Sequence, residues 1–296
     1  MHVATSAPLR LWMLAIRVPT LSAAVVPVLV GTALAMRDYR VSALIFAVTL
    51  CAALLIQIGT NLTNDLFDFQ KGADTGARLG PVRVVQAGLL SQKQVAAASA
   101  LSFGAAMLLG VYLVKVGGWP ILAVGLAAVA SGIAYTGGPW PLGYHGLGDV
   151  FVFVFFGVVA VTGTFYLQSG VVSGAAMLAS LPVAMLVTAI LAVNNLRDID
   201  TDRNAGKRTL AVRFGRDTSR LQYTILVTGA YLVAAAMWLC GANSAWAILP
   251  WLTMPLGIRL MREVWRSEGA PLNVVLRQTA ALHLAFGVLL AASFVL

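Results

Sequence analysis

Apolar residues along the chain fall into nine long runs separated by short polar loops, at approximately 18–36, 43–63, 94–114, 118–136, 149–168, 174–194, 222–240, 244–261 and 277–296. Each run is close to the roughly 20 residues that a helix needs to cross a bilayer. Lipid offers no hydrogen-bond partners, so backbone within such runs must satisfy itself as helix. The pattern therefore predicts an all-α, polytopic membrane protein with about nine transmembrane helices. The loops leave no room for a soluble domain, so residues 1–296 read as one integral-membrane unit. Gly and Pro mark the bends: Gly117-Gly118-Trp119-Pro120 separates the third and fourth runs, and Tyr135-Thr-Gly137-Gly138-Pro139-Trp140-Pro141 ends the fourth.

Composition agrees. The chain is 59% hydrophobic and 10% charged, whereas a soluble domain carries about 25% charge. The net charge of +9 resembles that of a nucleic-acid binder until its placement is considered. With alternate loops assigned to opposite sides, only Arg37, Arg40 and Lys115 of the 20 Lys and Arg fall away from the N-terminal side. That is the positive-inside signature, which makes the basic side cytoplasmic and the partner a lipid bilayer, not a nucleic acid. Of the 11 acidic residues only Asp38 lies opposite, so the polar chemistry gathers on one face. Arg10 and Arg17 precede a full-length run and read as the flank of an uncleaved start-transfer helix. Cys51 and Cys240 fall inside predicted helices as small apolar residues, with neither disulfide nor zinc spacing.

Two acidic stretches break the apolar pattern. The first is Asn61-Leu-Thr-Asn64-Asp65-Leu-Phe-Asp68, followed by Asp74. The second is Asn194-Asn195-Leu-Arg197-Asp198-Ile-Asp200-Thr-Asp202, followed by Gly206-Lys207-Arg208. Carboxylates are costly beside a bilayer and mark function there. Asn61, Asp65 and Asp68 share one helical face, as do Asn194, Asp198 and Asp202, while Asp200 lies about 200° round from Asp198 and points elsewhere. Carboxylates with amide partners suit Mg²⁺, which takes a few carboxylates and completes its shell with water and substrate phosphate. Neighbouring cations suit a diphosphate. Arg197, Lys207 and Arg83 are favoured by context, Arg78 and Arg208 less so. Arg213, Arg216, Arg220, Arg259, Arg262 and Arg266 fit ordinary positive-inside charge. His145 and His283 read as a loop residue and a packed helix residue, and Tyr135 as an interfacial anchor. A transporter is the competing class, but it calls for polar groups near the bilayer midplane, where this chain has almost none.

Four segments carry a family resemblance: residues 61–69 with Gly72 and Asp74; Gly80-Pro-Val-Arg83-Val-Val-Gln86-Ala-Gly88; Tyr135 to Asp149; and Asn194 to Leu210. Together they resemble the UbiA superfamily of intramembrane aromatic prenyltransferases. Gly at 72, with Asp at 74, departs from the general first motif and is similar to the branch that uses 1,4-dihydroxy-2-naphthoate. The resemblance implies helices around a central cavity with a side opening for a lipid tail, and acidic motifs at its cytoplasmic mouth. It implies transfer of a polyprenyl chain from an allylic diphosphate to dihydroxynaphthoate, with loss of diphosphate and CO2. Asp65, Asp68, Asp198 and Asp202 would bind Mg²⁺, assisted by Asn61, Asn64 and Asn194. Arg197, Lys207 and Lys71 would grip the diphosphate. Arg83, Gln86, Tyr135 and His145 would hold the aromatic acid. Other acceptors of the same family, such as 4-hydroxybenzoate or homogentisate, stay open at this point. A bacterial inner membrane fits the predicted orientation.

Overall fold

The computed structural model describes residues 8–73 and 79–296; Asp74, Arg78 and His2 lie outside them. Among the described residues the chain is helical, without strands. In order come α1 (Pro8–Ile16), α2 (Ser22–Met36), α3 (Ala43–Gln70), α4 (Gln92–Gly117), α5 (Trp119–Ala134), α6 (Gly148–Val152), α7 (Ala160–Ser169), α8 (Gly174–Arg197), α9 (Ile199–Asn204), α10 (Leu210–Leu239), α11 (Met254–Arg266) and α12 (Leu272–Val295). A π-helical stretch, Phe153–Val159, joins α6 and α7 into one span.

Helix starts follow local chemistry. The Ser42 hydroxyl accepts from Ile45 N–H and opens α3. Ser91 and Gln94 form a reciprocal capping box at α4. Thr209 caps α10 through Val212 N–H.

Seven helices among the described residues are long and apolar enough to cross a membrane, where the sequence pattern predicts about nine. The other two runs are helical but different in kind. α5 has 16 residues, about 24 Å of helix against a hydrocarbon core of about 30 Å. The run at 244–261 divides into a 3-10 segment, Ala245–Thr253, and α11, which carries Arg259, Arg262, Glu263 and Arg266. Pro250 and Pro255 prevent one continuous ladder there.

Long-range contacts tie the helices into one bundle. α3 packs on α4 and α5; α2 packs on α12, α7, α8 and α3; α8 packs on α10, α12 and the π-helical stretch. Gly157 of that stretch packs closely on α8, where a side chain would collide with Ala184. The extra residue of a π-turn rotates the helix locally, and Phe151, Val152, Phe155, Phe156 and Val159 all line the interior.

The interior has two adjoining chambers. An apolar one of about 200 Å³ is lined by α2, α3, α5 and the α6–α7 span. A polar one of about 220 Å³ lies between α3 and α8, with the 135–144 segment, α9, Lys207 and Thr209 at its edge. Ala23, Thr60, Tyr135, Val152 and Phe156 line both.

Candidate active site

The polar chamber collects one side chain set from α3 and one from α8 and α9. From α3 come Gln57, Asn61, Asn64 and Asp68; from the other side come Asn194, Asn195, Asp198, Thr201 and Asp202. The second set matches the spacing read from sequence. It survives a break in the helix, because Asp198 sits between α8 and α9 at φ −94°, ψ 9°, and its carbonyl still accepts from Asp202 N–H at 2.7 Å. Asp200 turns outward and pairs with Arg216 and Arg203.

The first set is rotated from the predicted face. Asp65 is buried at 2% exposure, accepts from Val84 N–H at 3.1 Å, and does not line the chamber. At 100° per residue, Asp68 and Asn64 lie about 20° and 60° to one side of Asn61, and Asp65 about 40° to the other. Asp65 therefore faces the 83–90 loop from the edge of the site. The Asn61 amide donates to Ile16 O at 2.9 Å and to Thr20 Oγ1 at 3.0 Å, which anchors the α1–α2 junction.

Asp68 engages three side chains. Tyr144 donates to Oδ1 at 2.8 Å, Lys207 Nζ lies 3.3 Å from Oδ1, and Arg83 lies 3.4 Å from Oδ2. Lys207 also reaches Asp202 Oδ1 at 3.6 Å. Lys71 donates to the carbonyls of Thr136 and Gly138, at 2.8 and 3.2 Å. Burial lowers its pKa, with Asp68 opposing and Lys207 adding to the shift. Both ammonium groups lie over the Tyr144 ring, Lys71 at 5.0 Å and Lys207 at 4.8 Å from its centroid.

Arg197 does not occupy the place predicted for a diphosphate ligand. It is 2% exposed and absent from the chamber wall. Its guanidinium donates to both Asp198 oxygens, from Nε at 2.8 Å, and to Asn194 Oδ1 and Asn273 Oδ1 at 2.8 Å each. Its donors are thus directed at the partners that fix Asp198. His145 is likewise turned away: its ring stacks on Trp140 at 4.3 Å and its Nδ1 meets Pro141 O at 2.8 Å. Gln86 is half-buried in the 84–88 turn and lines neither chamber. Tyr135 lines both. Burial, then Asp149, Asp68 and Asp202, hold its phenol well above the ordinary range, so it stays a neutral donor.

Three contributors escaped the sequence reading. Arg17 lines the polar chamber from a left-handed backbone conformation, φ 55°, ψ 61°, and donates to Asn61 O at 3.4 Å. Tyr144 follows from its place in the 135–149 segment but carries no signal of its contact with Asp68. Buried Asp149 accepts from Gln222 at 2.8 Å and Asn195 at 3.5 Å, which braces the second acidic motif from below.

Among the described residues, no three His, Cys, Asp or Glu side chains converge into a closed metal cage. The chamber does present three carboxylates and four asparagines from opposite walls, with Lys207 beside them. That donor set fits a hard divalent cation whose shell is completed by water and a phosphate-bearing ligand.

The model of the UbiA prenyltransferase family matches residues 24–276. The chain is 35% identical over 283 residues to the 1,4-dihydroxy-2-naphthoate octaprenyltransferase of Bacillus subtilis, covering 95% of this chain and 90% of that one. It is 38% identical over 263 residues to the Escherichia coli protein of the same name, covering 86% and 85%. Among solved structures, a UbiA homolog from Aeropyrum pernix K1 superimposes with a TM-score of 0.71 at 17% identity, over 94% of this chain and 97% of that one. One from Archaeoglobus fulgidus bound to GPP and Mg²⁺ gives 0.64 at 15% identity, over 95% and 99%. Acidic motifs facing one chamber, a lipid-like chamber beneath them and these relatives lead to one assignment: the chain is an integral membrane protein that belongs to the UbiA prenyltransferase family.

Proposed function

We propose that the protein transfers a polyprenyl chain from an allylic diphosphate to 1,4-dihydroxy-2-naphthoate, with Mg²⁺ as cofactor. The observation that carries this reading is that the carboxylate-lined chamber adjoins the apolar one, with Ala23, Thr60, Tyr135, Val152 and Phe156 lining both. A diphosphate head and a prenyl tail need those two environments end to end. The choice of acceptor rests on the naphthoate relatives. Asp68, Asp198 and Asp202, with Asn64 and Asn194, would hold Mg²⁺, and Asp65 stands beside them. When bound, Mg²⁺ neutralises the diphosphate and improves it as a leaving group.

The remaining work falls to the chain's own residues. Lys207 and Lys71, paired over Tyr144, hold the diphosphate end. Arg83 and Arg17 line the polar chamber and meet the naphthoate carboxylate. The apolar walls keep water from the allylic carbon while its bond to diphosphate oxygen breaks. The electron-rich ring then attacks that carbon through the position that bears the carboxylate, diphosphate leaves, and departure of CO2 from the same ring carbon restores aromaticity, giving the prenylated 1,4-naphthalenediol. Tyr135 stands where the two chambers meet, beside both the polar and the apolar walls. The acidic face is cytoplasmic, in a bacterial inner membrane.

The test is complementation. In a bacterial strain lacking its own dihydroxynaphthoate prenyltransferase, this protein restores demethylmenaquinone to lipid extracts, and Asp68→Ala does not. Membranes that hold the folded protein but no prenylated naphthoquinone would contradict the proposal.

A further inference from the structure

Three helical glycines line the apolar chamber: Gly125 and Gly132 on α5 and Gly163 on α7. Gly132 is demanded by packing, since a Cβ there would lie 2.5 Å from Thr60 Oγ1. Gly125 and Gly163 are not: a Cβ at either position meets nothing within 4 Å. Neither has a positive φ. Glycine is less favourable than alanine inside a helix, so neither packing nor backbone accounts for it at these two places. What both positions share is the chamber and a common depth within it. Gly125 precedes Tyr135 by ten residues on α5, about 15 Å along the axis. Gly163 follows Val152 by eleven residues on its own span, about 16 Å. Tyr135 and Val152 are both at the junction with the polar chamber. Beyond the two glycines, Leu113, Ile121 and Leu167 continue the apolar wall and pack with Ala52.

We infer that Gly125 and Gly163 are specificity-determining positions: their missing side chains keep the chamber open at the depth that a long polyprenyl tail must pass. This rests on the prenyl-transfer reading above. A short donor ends before that depth, whereas a long one must thread between the two helices there. Side chains at these positions would obstruct only the second.

The experiment compares dimethylallyl diphosphate with octaprenyl diphosphate on the purified full-length protein and on Gly125→Leu and Gly163→Leu, with 1,4-dihydroxy-2-naphthoate as acceptor. The inference predicts that either Leu variant lowers kcat/KM for the octaprenyl donor about tenfold or more while the value for the short donor stays within about threefold. Gly125→Ala and Gly163→Ala, whose added methyl meets open space, test folding by melting temperature and keep most long-donor activity. Equal losses with both donors, or no loss with either, would overturn the inference. Thermal stabilisation by each diphosphate without acceptor gives an independent readout: loss of the octaprenyl shift alone in the Leu variants supports the gate even if naphthoate proves the wrong acceptor. An unchanged octaprenyl shift would overturn it.

Discussion

Lys207 and Asp68 form an ion pair, Nζ to Oδ1 at 3.3 Å, that joins the two acidic motifs across the mouth of the polar chamber. The same ammonium stands 3.6 Å from Asp202. Three carboxylates from two walls would repel one another without a cation between them, and a diphosphate needs a cation at the same place. Lys207→Ala is therefore expected to raise KM for the prenyl diphosphate about tenfold or more. Lys207→Arg is expected to recover part of that loss. Steady-state kinetics at saturating naphthoate check both; a change confined to the naphthoate KM would contradict the assignment.

Tyr144 serves this cluster in two ways, as a donor to Asp68 and as a ring beneath Lys71 and Lys207. Tyr144→Phe keeps the ring and removes a hydrogen bond to a charged group, a loss of about 1.5–3 kcal/mol. The effect falls on Asp68, so the variant is expected to need more Mg²⁺ for half-maximal rate. Tyr144→Ala, which also removes the cation–π surface, is expected to add a rise in prenyl diphosphate KM. Indistinguishable kinetics for the two variants would remove the ring from the account.

Arg197 acts through Asp198. Removing one partner of a buried ion pair costs about 3–5 kcal/mol, so Arg197→Ala is expected to lower the melting temperature in detergent and to raise the Mg²⁺ requirement. At saturating Mg²⁺ the prenyl diphosphate KM is expected to change little, because Arg197 is not on the chamber wall. A large KM rise with normal melting would restore Arg197 as a diphosphate ligand.

His145 is spent on Trp140 and Pro141. His145→Ala is accordingly expected to leave the naphthoate KM within about twofold, in the range of substitutions away from a site. A tenfold rise would return His145 to the aromatic pocket.

Much of this arrangement is legible in the sequence for a physical reason. Helical register is local, so Asn194, Asp198 and Asp202 can be placed on one face, and Asp200 off it, by counting residues. The same counting blurs at the first motif, where Asp65 and Asn64 flank Asn61 at similar angles and only the neighbouring loop decides which one faces the chamber. Arg197 shows the limit more sharply. Its neighbours in sequence place it at the site, but its direction is set by Asn273 on α12, which in turn donates to Leu79 O. No local pattern announces that contact. Arg17 reads as positive-inside charge, and only the left-handed turn after α1 brings it to the chamber. The apolar runs predict helices reliably because lipid leaves the backbone no alternative. They do not distinguish the seven long spans from the 16-residue α5 or the proline-broken segment before α11.

The most direct test is a product assay on detergent-purified protein given an allylic prenyl diphosphate and either 1,4-dihydroxy-2-naphthoate or 4-hydroxybenzoate, with Mg²⁺ or with EDTA. The account predicts a prenylated naphthalenediol and released CO2 from dihydroxynaphthoate, with Mg²⁺ only. Product from 4-hydroxybenzoate alone, or turnover that EDTA leaves unchanged, would contradict it.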